Sequence, residues 1–335
     1  MSKVALVTGG NGWLALNLCR HLLQQGCSVR ALLQPGQAVP EEDFCREIQW
    51  VYGDLREETD VQNFLLGSEG ALLFQLAGII HPRLWSKDFE EVNHLGTARL
   101  LKEAERMGVK RAVVMSSNSP FGCNPRPDHR FDEDSPYNPY MGYGRSKMRM
   151  EQAVQQHQQL DWVLIRAPWF YGPYQPARQS LFFRMVRDGR APIVGSGKNL
   201  RSMSYVDNLA EGLWLAAGHP QASRRAFWMA DESPYSMNEI IGTIESVLRE
   251  DFAIACKGKR MRLPYLAGQV AEVIDSGLQS IGLYQQKIHV LSEMNKTIAC
   301  DVSLAQRVLG YAPRIALREG MRRSVEWQLQ RRGSL

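Results

Sequence analysis

Short apolar runs alternate along the chain with stretches in which apolar residues recur every three or four positions. The runs Val4 to Val7, Ser28 to Leu33, Gln49 to Tyr52, Ala71 to Leu76, Arg111 to Met115 and Trp162 to Arg166 predict six strands. Helical patterns fall between them. Leu16 to Gln24 is amphipathic, and Tyr143 to His157 carries Met148, Met150, Ala153 and Val154 at helical spacing. Strands that are apolar on both faces and separated by helices pair in parallel, so the pattern predicts an α/β fold with a doubly wound parallel sheet. After Pro173 the pattern loosens. Residues 176–193 read as an irregular start and a helix, 204–217 as an apolar helix and 261–283 as a second apolar helical region. The Pro- and Asp-rich piece Asn124 to Tyr140 reads as a surface loop, of the kind that often covers a ligand.

Composition narrows the class. A chain of 335 residues exceeds what one core usually holds, which predicts a large domain with a smaller lobe. A net charge of +5, with Lys and Arg scattered, gives no basic groove for nucleic acid. Cys19, Cys27, Cys45, Cys123, Cys256 and Cys300 form no Cys-x-x-Cys pair, which argues for a reducing compartment and against a metal site. No stretch reaches the roughly 18 apolar residues of a membrane span, and no secretory signal precedes the first strand, so a cytoplasmic protein without a membrane partner is expected.

The chemistry begins directly after the first strand. Thr8-Gly9-Gly10-Asn11-Gly12-Trp13-Leu14-Ala15 is a glycine-rich turn entering a helix, where backbone N–H groups and the helix dipole favour a pyrophosphate. Tyr143 and Lys147 lie one helical turn apart on one face, so the ammonium is expected to lower the pKa of the phenol and make it an acid for a ketone oxygen. The strand Val113 to Ser117 ends in hydroxyls, and a hydroxyl at a strand's carboxyl end can bond the oxygen that Tyr143 protonates.

At these residues the chain resembles the extended short-chain dehydrogenase/reductase superfamily, of the NAD-dependent epimerase/dehydratase type, over nearly its whole length. The Thr-Gly-x-x-Gly-x-x-Gly turn matches Thr8 to Ala15, with Ala15 in place of the last glycine. The resemblance implies a Rossmann-type sheet and a catalytic trio of Ser117, Tyr143 and Lys147, with Lys147 also holding the nicotinamide ribose. For the cofactor it implies Gly9, Gly12, Trp13 and Leu14 at the diphosphate, Asp54 and Leu55 at the adenine, Leu76, Ala77 and Gly78 behind the diphosphate and ribose, and Pro168 beside the nicotinamide. Asn93 would brace the site, and Tyr205 to Asn208 and Leu309 to Pro313 complete the match. At the tip of the second strand Leu33 stands where NAD-selective relatives carry an acid, and Gln34 where dihydroflavonol-type reductases carry a phosphate-binding Arg. Either NAD or NADP is allowed, with a lean to NADP because nothing repels its phosphate.

Residues 1–173 are then a dinucleotide-binding domain to which 203–218 returns, while 174–202 and 219–335 mostly form a substrate lobe. Asn118-Ser119 after Ser117 lack the Asp-Glu pair of nucleotide-sugar dehydratases. Two readings stay open. The favoured one is an oxidoreductase moving a hydride between nicotinamide and a ketone or secondary alcohol on a small apolar molecule; the run Ile193 to Leu200 and the Leu263-Pro264 helix resemble the 3β-hydroxysteroid dehydrogenase-like branch. Trp85, Trp169 and Phe170, with Phe182, Phe183 and Tyr174, would line an apolar cleft, and His81 and Asn118 would touch substrate. The alternative is a nucleotide-sugar epimerase or reductase, with Arg201 gripping a diphosphate, although Trp169 replaces the usual Asn. A non-catalytic dinucleotide sensor fits less well, because it has no need of a tuned phenol. A homodimer stays open.

Overall fold

A computed structural model describes residues 3–335. Six strands, β1 (Val4–Thr8), β2 (Ser28–Leu33), β3 (Gln49–Tyr52), β4 (Leu72–Gln75), β5 (Arg111–Ser116) and β6 (Trp162–Arg166), lie where the apolar runs predict them. A seventh, Arg225–Trp228, joins the far edge, giving the order Arg225–Trp228, β6, β5, β4, β1, β2, β3. All neighbours are parallel. The order reverses between β4 and β1, which opens a crevice at the carboxyl ends of those strands.

Alternation along the strands builds two apolar layers. Ala5, Val7, Phe74, Val113 and Ile165 face α1 (Trp13–Gln24) and the helix Val206–Gly218. Leu6, Leu73, Val114 and Leu164 face the layer of α2 (Glu58–Leu65), α3 (Thr97–Arg106) and α4 (Met141–Gln156). Each fully buried Leu, Ile or Phe contributes about 1.5–3 kcal/mol, so both faces of the sheet are held, alternate residues of each strand serving opposite layers.

The rest of the chain adds a lobe with its own apolar centre, including Phe183, Ile193, Met203, Ile240, Ile244, Met321 and Val325. Its strands are short: Trp169–Tyr171 pairs with Met203–Tyr205, Pro192–Val194 with Met261–Leu263, and Leu200–Arg201 with Tyr235–Ser236. Two expected helices are therefore shorter than predicted. Ser204 belongs to a strand and the helix starts at Val206, while Pro264, whose ring fixes φ, ends the strand Met261–Leu263 and caps the helix Tyr265–Ser280. From the stretch assigned mostly to the lobe, Arg225–Trp228 instead extends the large sheet, and Ala305, Leu309 and Tyr311 pack into the layer beside α1.

Candidate active site

The glycine turn sits at the crevice between β1 and β4. Gly9 has φ +68, and a Cβ there would lie 3.0 Å from Ala77 Cα; at Gly10 it would meet the Trp50 ring at 2.7 Å. No side chain fits either position, so bare backbone faces the crevice. Helix α1 starts after Gly12 with no side-chain cap and no acid in its first turn. Its N–H groups, Leu14's included, are free to meet an anion, and the cradle fits a pyrophosphate. The Trp13 indole donates to the Pro173 carbonyl at 2.8 Å, so its side chain clamps the turn to the chain beyond β6. Thr8 Oγ1 accepts from the N–H groups of Leu76 and Ala77, both at 3.0 Å, which holds the Leu76-Ala77-Gly78 segment beside the turn, where Gly78 is exposed.

At the other end of the crevice Leu33 is fully buried, so an acid at that position would enter the core rather than meet a ribose. The exposed group at the tip of β2 is Gln34, whose amide donates to Asp54 at 3.2 Å. Arg56, which the sequence reading missed, donates to both Asp54 oxygens at 3.0 and 2.6 Å and holds its carboxyl below the usual carboxylate range. Leu55 is buried, its carbonyl accepting from Arg99 at 2.6 Å. Arg30 caps the end of α2 through the carbonyls of Phe64 and Leu66 and takes no part in the tip.

Ser117 and Tyr143 come together at the carboxyl end of β5. The Ser117 hydroxyl accepts from Ser119 N–H at 2.9 Å, donates to Ser119 Oγ at 3.1 Å and lies beside the Tyr143 phenol. Burial pushes that phenol up to about 12, against the lowering effect of the neighbouring Ser117 hydroxyl; Glu293 raises it further and Arg178 lowers it. Lys147 does not supply the expected lowering. Its buried ammonium donates instead to the Met115 carbonyl at 2.7 Å, with Met150 Sδ at 3.2 Å, because a charge that has lost water takes the nearest acceptor. Burial brings the lysine itself down to about 8, opposed by Glu151. Beneath it Glu151, fully buried, accepts from Arg166 at 2.8 Å and from Tyr137 at 2.9 Å. Asn93 donates to Ile79 O at 2.9 Å and Ser146 Oγ at 3.1 Å and accepts from Ile79 N–H at 2.7 Å, tying the loop after β4 to the helix that carries Tyr143.

A hairpin of helices, Tyr265–Ser280 and Gln286–Glu293, closes the site from the lobe side. Gln279 Oε1 accepts from Gly142 N–H at 2.9 Å, next to Met141, whose φ of +53 is costly for a residue with a side chain. The His81 ring lies 2.6 Å from the Tyr284 hydroxyl, and burial lowers its pKa to about 4, with Arg178 and His289 adding to the effect. Phe89 spans the wall, its ring 5.7 Å from that of Tyr143 and 5.6 Å from that of Tyr284. His289 is held by buried Asp275 at 2.7 Å. Phe89, Arg178, Tyr284 and His289 escaped the sequence reading; only Arg178, in the first turn of the helix Ala177–Arg187, had a signal, being a cation where an apolar cleft was expected.

The other expected substrate residues divide. His81 joins the wall, and Trp85 lines a cleft of about 310 Å³ with Phe89, Gly142 and Gly282. Asn118 is half-buried one residue beyond Ser117. Phe170 packs edge-on against Trp13, Trp169 packs on Phe182, and Pro168 lies half-buried between β6 and that strand. Phe183 belongs to the lobe's core, and Tyr174 packs against Phe44 and Trp327, so neither lines the cleft. Arg201 donates to the Glu293 carbonyl, and its buried Nε has no partner among the described residues.

A parallel sheet of this order, reversing at a glycine-lined crevice, is the framework of a Rossmann-type nucleotide-binding enzyme. The chain belongs to the NAD dependent epimerase/dehydratase family, whose model matches residues 5–229, and is an oxidoreductase of that NAD-dependent family. It is 52% identical over 340 aligned residues to the uncharacterized protein y4nL of Sinorhizobium fredii (strain NBRC 101917 / NGR234), covering 97% of this chain and 95% of that one. It is 27% identical to the 4-hydroxy-2-methyl-3-oxo-4-farnesyl-3,4-dihydroquinoline-1-oxide ketoreductase of Stigmatella aurantiaca, covering 94% and 93% of the two chains. Among solved structures, the UDP-glucose 4-epimerase of Thermotoga maritima with UDP-glucose shares the fold at TM-score 0.76 and 18% identity, with 98% and 99% of the chains covered.

Proposed function

We propose that the chain reduces a ketone, or oxidises the matching secondary alcohol, on a small apolar molecule. The observation that carries this reading is the meeting of Ser117 and Tyr143 at the lip of the crevice, against a wall of Phe89 and Tyr284. A bound nicotinamide dinucleotide supplies or accepts the hydride. Tyr143 keeps its proton at neutral pH and delivers it to the carbonyl oxygen, which Ser117 orients. Lys147, charged below about pH 8, holds the ribose hydroxyls. Gln34 and Arg56 at the tip of β2 present no repelling acid other than Asp54, which is already paired, and this supports NADP. The likeness to a ketoreductase with a farnesyl-bearing substrate supports the apolar class.

One observation favours a second reading, a nucleotide-sugar epimerase or reductase: the unpartnered Nε of Arg201 could take a diphosphate oxygen. Titration with a nucleoside diphosphate separates the two. In the ketone reading wild type and Arg201→Ala bind it equally weakly; a grip lost in Arg201→Ala, at about 1.5–3 kcal/mol for a charge-assisted bond, would install the second reading.

A further inference from the structure

The helix Tyr265–Ser280 buries only part of its circumference. Leu266, Val270, Val273 and Ile274, spaced at i, i+4, i+7 and i+8, face outward with Val273 at 73% exposure, and Ile281 follows at 68%. None of the exposed positions on this face carries a charge. The helix's two carboxylates are turned away and paired, Glu272 with Lys296 and Asp275 with His289, both at 2.7 Å. The apolar face continues across the hairpin. Leu84 and Trp85, both half exposed, are bound to the Gly282–Tyr284 backbone by Ser86 N–H to Gly282 O at 3.0 Å and Tyr284 N–H to Leu84 O at 2.8 Å.

Cations edge this surface. Arg262 is exposed two residues before Pro264 and the helix, Arg83 and Lys87 flank Trp85, and Lys287 follows the turn. Monomeric soluble proteins rarely leave so contiguous an apolar face open. An uncharged apolar helix face edged by Lys and Arg has the composition of an element lying in the headgroup region of a bilayer. A second copy fits less well, since a symmetric pairing on this face would bring its basic edges towards one another.

The geometry points to a peripheral docking surface for an anionic membrane, formed by the helix Tyr265–Ser280, Ile281 and the Leu84-Trp85 loop. No described helix is long and apolar enough to cross a bilayer, so the proposed contact lies in the interface. Tyr284, two residues beyond Gly282, bonds His81 and packs on Phe89 beside Tyr143, so the surface leads into the wall of the site. The docking goes beyond the reductase reading and rests on the surface alone; delivery of an apolar substrate from the membrane rests on that reading.

Flotation with vesicles tests it. The full chain should float with phosphatidylcholine vesicles containing phosphatidylglycerol, bind pure phosphatidylcholine vesicles far less, and be released by molar salt, where screening reaches about 3 Å. Val273→Asp with Ile274→Asp should abolish flotation. Lys87→Gln with Arg262→Gln should weaken it about twenty-five-fold, near fivefold per basic residue, and serves as the second variant should the first not fold. Dinucleotide affinity and turnover of a water-soluble ketone should match wild type in both, which separates failure of the docking from failure of the reductase reading. No binding to the anionic vesicles overturns the proposal, as does binding that neither variant reduces, or a dimer that the aspartates split without any vesicle binding.

Discussion

In the proposed reaction Tyr143 and Lys147 act through protons that they hold at different pH. The phenol, pushed up to about 12, stays protonated through the physiological range, so Tyr143→Phe should leave dinucleotide affinity intact and cut turnover by roughly 10² to 10⁴. Wild-type turnover in that variant would remove Tyr143 from the chemistry. The lysine, at about 8, loses its charge as pH rises through that value, so kcat/KM for ketone reduction should be level from pH 6 to pH 8 and fall above it. For stability the sign is opposite. A folded pKa below the unfolded 10.5 means that the unfolded chain binds more protons between about 8 and 10.5, and stability from this group rises with pH across that window. Lys147→Met should flatten both profiles, read by steady-state rates and by denaturant titration. At the tip of β2, Gln34 and Arg56 predict a preference for NADPH over NADH of about 1–2 kcal/mol by direct titration, increased in Gln34→Arg; a strong NADH preference would contradict the assignment.

Helix α4 owes its position to elements far away in sequence. Gln279 accepts from Gly142 beside the strained Met141, and Asn93 ties Ser146 to the loop at Ile79. Gln279→Ala leaves the Gly142 N–H without its acceptor, at a cost of about 1–3 kcal/mol, and should lower kcat together with the melting temperature. A lower melting temperature with unchanged kcat would limit Gln279 to structure. This dependence explains what the sequence could and could not reveal. The strands β1, β4, β5 and β6 were legible because both their faces are buried, so apolar residues run on through them; the glycine turn and the Tyr143-Lys147 pair were legible because their spacing is local. Arg225–Trp228 was not, since its parallel partner β6 lies far back in the sequence and only the tertiary fold brings the two together. The wall of Phe89, Tyr284 and His289 was hidden because tertiary packing brings distant residues together, as at His81 and Tyr284, 203 positions apart. The direction of the Lys147 ammonium is likewise a matter of its three-dimensional neighbours.

Across the whole molecule, the reductase reading puts a dinucleotide in the crevice of the large sheet, with the helical hairpin closing an aromatic wall beside Tyr143. The most direct test follows absorbance at the reduced-nicotinamide band while product forms from an apolar ketone, with wild type and Tyr143→Phe side by side. Reduction predicts one reduced dinucleotide oxidised for each product molecule, with the rate lost in Tyr143→Phe. Product from a nucleotide sugar without any net change at that band would instead mean that the hydride returns to the same substrate, and would contradict the reductase account.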